Sequence, residues 1–320
     1  MTENGIVFLQ DENVIHLDPK RGTSKGVSFV SHAHTDHLHN QNGGLVITTR
    51  QTSEIAKLRG YYIDNFVEEF ENFSMVESGH ILGARGLLHG DVFYTGDICT
   101  RQRGFLAGAK VPKCKTLITE CTFGLPEFVF PNVAETIKKV NGIISDMYSK
   151  GKPVILLGYE LGKAQILSYL FAHWQPLYYH DSIKKINALY RSFGVNLKDA
   201  MGHREAESSG LLDKKPWVMI APNMGGKSSF VNYMKSKYDV ITIGFSGWAQ
   251  SSRYAFARQH DYSIALSDHC DYNELIELVK KANPDKVYTV HGFVDEFASE
   301  LTKIGFDAQP LREESLDDFF

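Results

Sequence analysis

The sequence predicts an α/β protein, on three observations. Short apolar strands separated by turns fill the first 120 residues; strands alternating with helices follow; and a histidine-rich quartet caps one of the early strands. At 320 residues, 43% hydrophobic and 22% charged, the chain reads as an ordinary soluble protein of one large domain or two smaller ones. No run nears the roughly 18 apolar residues of a membrane span, so no membrane partner is expected. The segment MTENGIVFLQDENVIHLD has neither a basic n-region nor an apolar h-region, which makes the cytoplasm the expected compartment.

Strand-like runs fall at 6–9, 14–17, 27–30, 45–48, 73–76, 92–95 and 116–119, with few helices among them. From Pro131 the pattern changes. Val133, Ile137, Val140, Ile144 and Met147 recur at helical spacing, behind Asn132 as N-cap and Glu135 as its capping-box partner. Beyond this helix, apolar runs at 154–157, 217–221, 240–243, 264–266 and 287–290 alternate with helical stretches at 163–171, 227–238, 272–282 and 294–304. Such alternation predicts a largely parallel sheet covered by helices.

The four cysteines lie far apart with no CxxC spacing, so neither a disulfide framework nor a zinc finger is indicated, and Cys99 and Cys121 read as packing. A net charge of -4 argues against a broad electrostatic grip on nucleic acid. Any polyanion must be held in a local cleft, where bound cations supply the positive charge.

The segment from Val27 to His37 runs an apolar strand straight into HxHxDH. His32 and His34, two apart, project from one side of extended backbone, while the following turn aims Asp36 and His37 at a second point nearby. The bland alternative is a polar surface loop in a chain with 13 histidines, but an ordered quartet directly after a buried strand favours metal. His80 in ESGHILGA and Asp97 in VFYTGDI each stand beside a glycine after a strand-like run. Alone they are a loop histidine and a turn aspartate; their spacing downstream of the quartet recruits them. Asp18, after NVIHL, is either a turn residue or an acid that supports the ligands by hydrogen bonds.

On these motifs the chain resembles the metallo-β-lactamase superfamily, in its nucleic-acid-processing β-CASP branch, over nearly its whole length. The phrases TECTFGLPEFVFP, GYELGKAQ, FSGW and LSDHCDY are most similar to the DNA-ligase-associated exonucleases of that branch, cousins of Artemis, RNase J and the cleavage and polyadenylation endonuclease. The resemblance implies an αββα sandwich from 1–124 and 246–312, with an inserted α/β β-CASP domain at 125–245 that roofs a substrate cleft. It also implies that Glu120 in LITECTFG, His269 in ALSDHCDY and His291 in YTVHG complete the site. One divalent metal would take His32, His34 and His80, the other Asp36, His37 and His291, with Asp97 bridging. Imidazole-rich ligation with oxygen donors suits zinc, with manganese as the alternative. Such a pair suits phosphodiester hydrolysis, with Asp36, His269 and Glu120 as the catalytic set: His269 protonates the departing 3′-oxygen and Glu120 fixes its tautomer.

Lys163 in LGKAQ sits where a helix starts and is a candidate phosphate contact, as are Ser246 in FSGW and the MGGKSS stretch at 224–229. An ordinary solvated helix start is the alternative for both lysines, and a Walker motif is rejected because its upstream glycine is missing. In the tail 313–320, Leu316, Phe319 and Phe320 stand at i, i+3 and i+4, similar to the sliding-clamp (PCNA) interaction peptide, although Glu313 replaces the usual glutamine. The alternative is a solvated acidic tail. The functional expectation is a DNA exonuclease or end-processing nuclease of repair or replication, acting on single strands or ends. An RNase of the β-CASP type, drawing on His291, is the second reading, and an inactive scaffold the third.

Overall fold

A computed structural model describes residues 5–10, 13–22, 26–38, 44–70, 72–251, 253 and 257–312. The candidate clamp-binding residues Leu316, Phe319 and Phe320 lie outside them. The chain divides into two compact units, one comprising 1–102, 106–129 and 269–320, the other 103–105 and 130–268.

The first unit is built on two sheets. In one, the strands Ile6–Gln10, Asn13–Leu17, Val27–Phe29, Leu45–Ile47 and Phe66–Val67 lie side by side in that order, antiparallel at the first pair and parallel thereafter. In the other, Ala308–Pro310, Lys286–Gly292, Thr116–Cys121, Val92–Tyr94, Arg85–His89 and Phe73–Glu77 follow one another across the sheet. Period-two alternation sorts the second sheet's side chains. Tyr94, Ile118 and Tyr288 face one way and pack with Ile15, Phe29 and Ile47 of the first sheet. Their neighbours Phe93, Leu117 and Val287 face the other way and pack on Leu275, Leu278 and Val279 of the helix Tyr272–Ala282 and on Phe297 and Leu301 of the helix Val294–Lys303. Two sheets with helices outside them are the layers of the expected sandwich.

The second unit is a six-stranded, wholly parallel sheet in the order Met201–Gly202, Leu177–Tyr179, Val218–Pro222, Val154–Gly158, Ile241–Phe245 and Tyr262–Ile264. Both its faces are buried. Val154, Leu156, Val218, Ile220 and Ile243 pack beneath the helices Val133–Ser149 and Lys163–Leu170, whereas Ile155, Leu157, Met219 and Ala221 pack on the helix Ser229–Tyr238. Covered on two sides, such strands have no polar alternation, which is why they read as continuous apolar runs.

Three expectations differ from what is seen. The strand Tyr262–Ile264 pairs with Ile241–Phe245, Phe245 opposite Ile264, so the second unit runs on to Asp268, past the expected return at 246. The helix Arg50–Leu58 was hidden because half of its buried residues, Thr52 and Ser53 beside Ile55 and Ala56, are hydroxylic. Asn132 caps its helix by accepting from the Ala134 N–H at 2.8 Å, not through a reciprocal Glu135 pair.

A pH-sensitive contact sits within the second unit. His180, which caps the helix Asp181–Ser192 by accepting from the Ser182 N–H, stacks on His203 with centroids 4.6 Å apart and planes 9° from parallel. Burial, and then the neighbouring His203, push the His180 imidazole down to about 4 from 6.5, against the opposing pull of Asp181 and Glu160. The unfolded chain therefore takes up a proton first as pH falls, and stability is lost from about pH 6.5 down to about pH 4. Thermal midpoints measured across that window should fall more steeply for the native chain than for His180→Asn, which keeps a capping acceptor but does not titrate; parallel curves would exclude the contact as the cause.

Candidate metal centre

The strand Val27–Phe29 delivers the quartet to the edge of the sandwich. Beyond it, Val30 N–H donates to Ile47 O at 3.1 Å and Ser31 O accepts from Arg85 N–H at 2.9 Å, holding the extended backbone that carries His32. A turn closed by His37 N–H to His34 O at 3.1 Å folds His37 back beside His32, ring centroids 4.2 Å apart. His80 and Asp97 arrive from the second sheet, each next to a glycine that nothing larger can replace. At Gly79 (φ +66°) a Cβ would stand 2.4 Å from Cys99 O, and at Gly96 (φ +54°) 2.7 Å from the Ser31 Cβ.

Four ligand atoms converge. His34 Nδ1 lies 3.1 Å from His32 Nε2 and 3.0 Å from His80 Nε2, while Asp97 Oδ2 lies 3.3 Å and 3.5 Å from those same two Nε2 atoms. All four atoms fall within 4.8 Å of one another, and His32 and His80 are fully buried. Nitrogen lone pairs and a carboxylate oxygen turned towards one small volume, away from water, fit the donor set of a divalent transition metal.

The second expected set is looser. His37 Nε2 lies 3.4 Å from Asp97 Oδ1 and 3.9 Å from Asp36 Oδ2, and its ring centroid is 5.4 Å from that of His291. Asp36 is 78% exposed at its side chain, and His291, at φ +54°, is also exposed. Asp97 thus turns one oxygen to His32 and His80 and the other to His37.

Burial, together with the charge of His37, holds the His32 imidazole low, and burial, together with His269, holds His80 well below its usual range, so both keep neutral lone pairs. Burial acts the same way on His37, but Asp97 and Asp18 outweigh it and raise that group to about 10. Asp97 is held well below the usual carboxylate range: burial opposes this, and His37 and His32 overcome it.

Asp18, its side chain buried, is a hub of hydrogen bonds. At φ +42°, it accepts from Ser31 N–H (2.7 Å), Ser31 O–H (2.6 Å), Tyr94 O–H (2.8 Å) and His37 Nδ1–H (2.9 Å). Because Ser31 Oγ gives its hydrogen to Asp18, it accepts from His32 Nδ1–H at 2.9 Å. One carboxylate therefore fixes two imidazoles with their Nε2 atoms towards Asp97. Ser31 and Tyr94 were not singled out from the sequence, although one precedes HxHxDH directly and the other lies in VFYTGD. Asp18→Ala should weaken metal affinity about 10- to 100-fold in a competitive chelator titration; unchanged affinity would return Asp18 to a turn role.

Next to the cluster, Glu120 Oε1 accepts from His269 Nδ1–H and from Ile98 N–H, both at 2.8 Å, and Glu120 Oε2 accepts from Thr122 N–H at 3.2 Å. Glu120 is 1% exposed and His269 22%, so the imidazole reaches outward from a fixed carboxylate. Asp97, Glu120 and His269 form a second convergent group that shares Asp97 with the first.

The phosphate candidates are placed otherwise. Lys163 is buried rather than solvated, its ammonium 3.0 Å from Asp268 Oδ2, and Arg103 pairs with the other oxygen of Asp268 at 2.8 Å. Ser246 is 1% exposed and spends its oxygen on the Trp248 N–H at 3.2 Å, capping a short 3-10 turn. Both side chains are engaged within the protein, and neither enters the reading below. All four cysteines are buried, unbridged thiols, and none belongs to the convergent groups among the described residues.

The sandwich is a metallo-β-lactamase-type fold, and its imidazole–carboxylate cluster is compatible with a metal site. Residues 260–309 match the family described as "Zn-dependent metallo-hydrolase RNA specificity domain" (RMMBL). The chain is 29% identical over 90% of its length to a probable DNA ligase of Opitutus terrae, of which it spans 29%. It is 23% identical over 82% of its length to an RNase J-like protein of Methanocaldococcus jannaschii, spanning 80% of it, and 23% identical over 89% to that organism's transcription termination factor FttA, spanning 62%. A crystal structure of a protein of unknown function from Enterococcus faecalis V583 shares the fold, with a TM-score of 0.61 at 15% identity over 90% of this chain and 79% of that one. The matched domain and these relatives together support a metallo-β-lactamase/β-CASP nuclease family. Among the described residues no helix is long and apolar enough to cross a membrane.

Proposed function

We propose that the protein is a metal-dependent phosphodiesterase that cuts nucleic acid, with DNA as the favoured substrate, single-stranded or at an end. The observation that carries this reading is the sharing of Asp97 between the His32–His34–His80 cluster and the Glu120–His269 pair, which sets a cation site beside a proton donor. The division of Asp97's two oxygens between His32/His80 and His37 supports two cations, with zinc the best match to the imidazoles and manganese the alternative. Cations held there would supply Lewis acidity towards a phosphate oxygen, and the positive charge that a chain of net charge -4 otherwise lacks.

The chain's own residues divide the rest of the work. Glu120 accepts the Nδ1 hydrogen of His269, which leaves Nε2 as the nitrogen that delivers a proton to the departing oxygen. Asp18 and Ser31 orient the imidazoles of His32 and His37.

The DNA preference draws on the ligase-named relative. RNA is the second reading, favoured by the description of the matched domain and by the RNase-named relatives. Purified protein incubated with end-labelled single-stranded DNA and RNA of one sequence, with zinc or manganese, discriminates. Faster shortening of the DNA is expected. Cleavage of RNA alone would transfer the activity to the RNase reading, and no cleavage of either by metal-loaded protein would leave a scaffold.

A further inference from the structure

We propose that Arg101 is a positioning residue for His269, holding the backbone end of that residue while Glu120 holds the ring. The proposal rests on the nuclease reading above. Arg101 has no part in metal ligation; its guanidinium fork instead spans the start of the helix Tyr272–Ala282. One arm, NH2, donates to the His269 carbonyl at 2.5 Å, and the other, NH1, lies 2.7 Å from Glu274 Oε2 and 3.7 Å from Asp271 Oδ2. Asp271 and Glu274 are already a capping box, Asp271 Oδ1 accepting from Glu274 N–H and Glu274 Oε2 from Asp271 N–H, each at 2.9 Å. Two carboxylates crowded at one helix end repel each other, and a planar, permanently charged guanidinium reconciles them while keeping a hydrogen for the carbonyl.

The stretch leading to Arg101 makes the clamp relevant to the site. It begins at Asp97, and Ile98 N–H donates to Glu120 Oε1 at 2.8 Å while Ile98 O accepts from Cys270 N–H at 2.8 Å. Thr100 N–H then reaches Cys270 Sγ at 3.3 Å. Five consecutive residues thus carry the carboxylate shared by both convergent groups, touch the partner of the His269 ring, and grip the peptide unit that joins His269 to Cys270 from both its oxygen and its nitrogen. With Arg101 gone, the ring keeps its hydrogen bond to Glu120 and the peptide keeps Ile98, but the His269 carbonyl loses its donor, the peptide unit can tilt about the remaining bond, and Nε2 drifts from the departing oxygen.

In the hydrolysis, a water oxygen bonds to phosphorus as the bond to the departing sugar oxygen breaks. The His269 Nε2 proton goes to that oxygen, and the proton released by the water restores His269. A p-nitrophenoxide departs without a proton, so a p-nitrophenyl phosphodiester bypasses His269. The test compares Arg101→Ala and Arg101→Lys with the native chain on an oligonucleotide and on the p-nitrophenyl ester. Arg101→Ala should lower kcat on the oligonucleotide about 10- to 100-fold, with KM, metal content and ester turnover nearly unchanged, and Arg101→Lys should recover part of the loss. A readout independent of catalysis is the His269 Nδ1–H proton resonance of the metal-free protein, assigned by its disappearance in His269→Gln. It should be sharp in the native chain, broadened in Arg101→Ala and restored in Arg101→Lys. Equal losses on both substrates, or an unaltered resonance, would overturn the proposal. If the native chain cuts neither substrate, the nuclease reading fails by itself, and the resonance still decides whether Arg101 places His269.

Discussion

Replacing Asp97 by Ala is expected to strip the protein of its transition metal and lower turnover by about a thousandfold or more, since Lewis-acid catalysis contributes several kcal/mol to such reactions. No other substitution removes so much at once. Asp97 supplies one oxygen within 3.5 Å of His32 and His80 and the other 3.4 Å from His37, and it also belongs to the group formed with Glu120 and His269. The fold should survive, because His32 and His80 are neutral and His37 keeps its hydrogen bond to Asp18. Elemental analysis beside circular dichroism checks this. Native-level metal in a folded Asp97→Ala variant would remove the carboxylate from the centre.

His269→Ala should act differently, leaving metal content intact while kcat on an oligonucleotide falls about 10²- to 10⁴-fold, the range of general acid–base catalysis. The reason is geometric. Its Nδ1 is tied to Glu120, a carboxylate 1% exposed that also accepts from Ile98 and Thr122, so Nε2 alone is left for the substrate. KM should change little, because an interaction made only in the transition state appears in kcat. Glu120→Gln should weaken turnover in the same direction, since an amide in that place no longer provides two carboxylate oxygens for the ring and the backbone donors. Metal loss in His269→Ala, or unchanged turnover, would take the residue out of the proton-transfer role.

What the sequence made legible follows from which physical signals are local. The quartet after Val27–Phe29 was legible because ligands on one strand and its turn announce themselves by spacing, and the second unit's strands because burial on both faces leaves uninterrupted apolar runs. His80 and Asp97 were legible only through their spacing downstream of the quartet, and Glu120, His269 and His291 only through the family resemblance, since nothing local distinguishes a ligand from a loop histidine or a turn aspartate. Other features are long-range and left no trace. The capture of the Lys163 ammonium by Asp268 depends on a pairing between remote segments, as does the Arg101 grip on the His269 carbonyl. The helix Asp181–Ser192 was hidden in part by Asn187, fully buried among Ile183, Ile186 and Tyr190, where it bonds Gln165 and Ser168. A buried amide satisfied by distant partners looks, in one dimension, like a surface residue.

The direct measurement is the metal content of the purified, folded protein by inductively coupled plasma mass spectrometry, after dialysis against metal-free buffer and titration with zinc or manganese. Two tightly held divalent ions per chain, with Asp97→Ala and His32→Ala depleted, are expected. A folded native chain that retains no transition metal at any concentration tested would contradict the metal centre and the hydrolase built upon it.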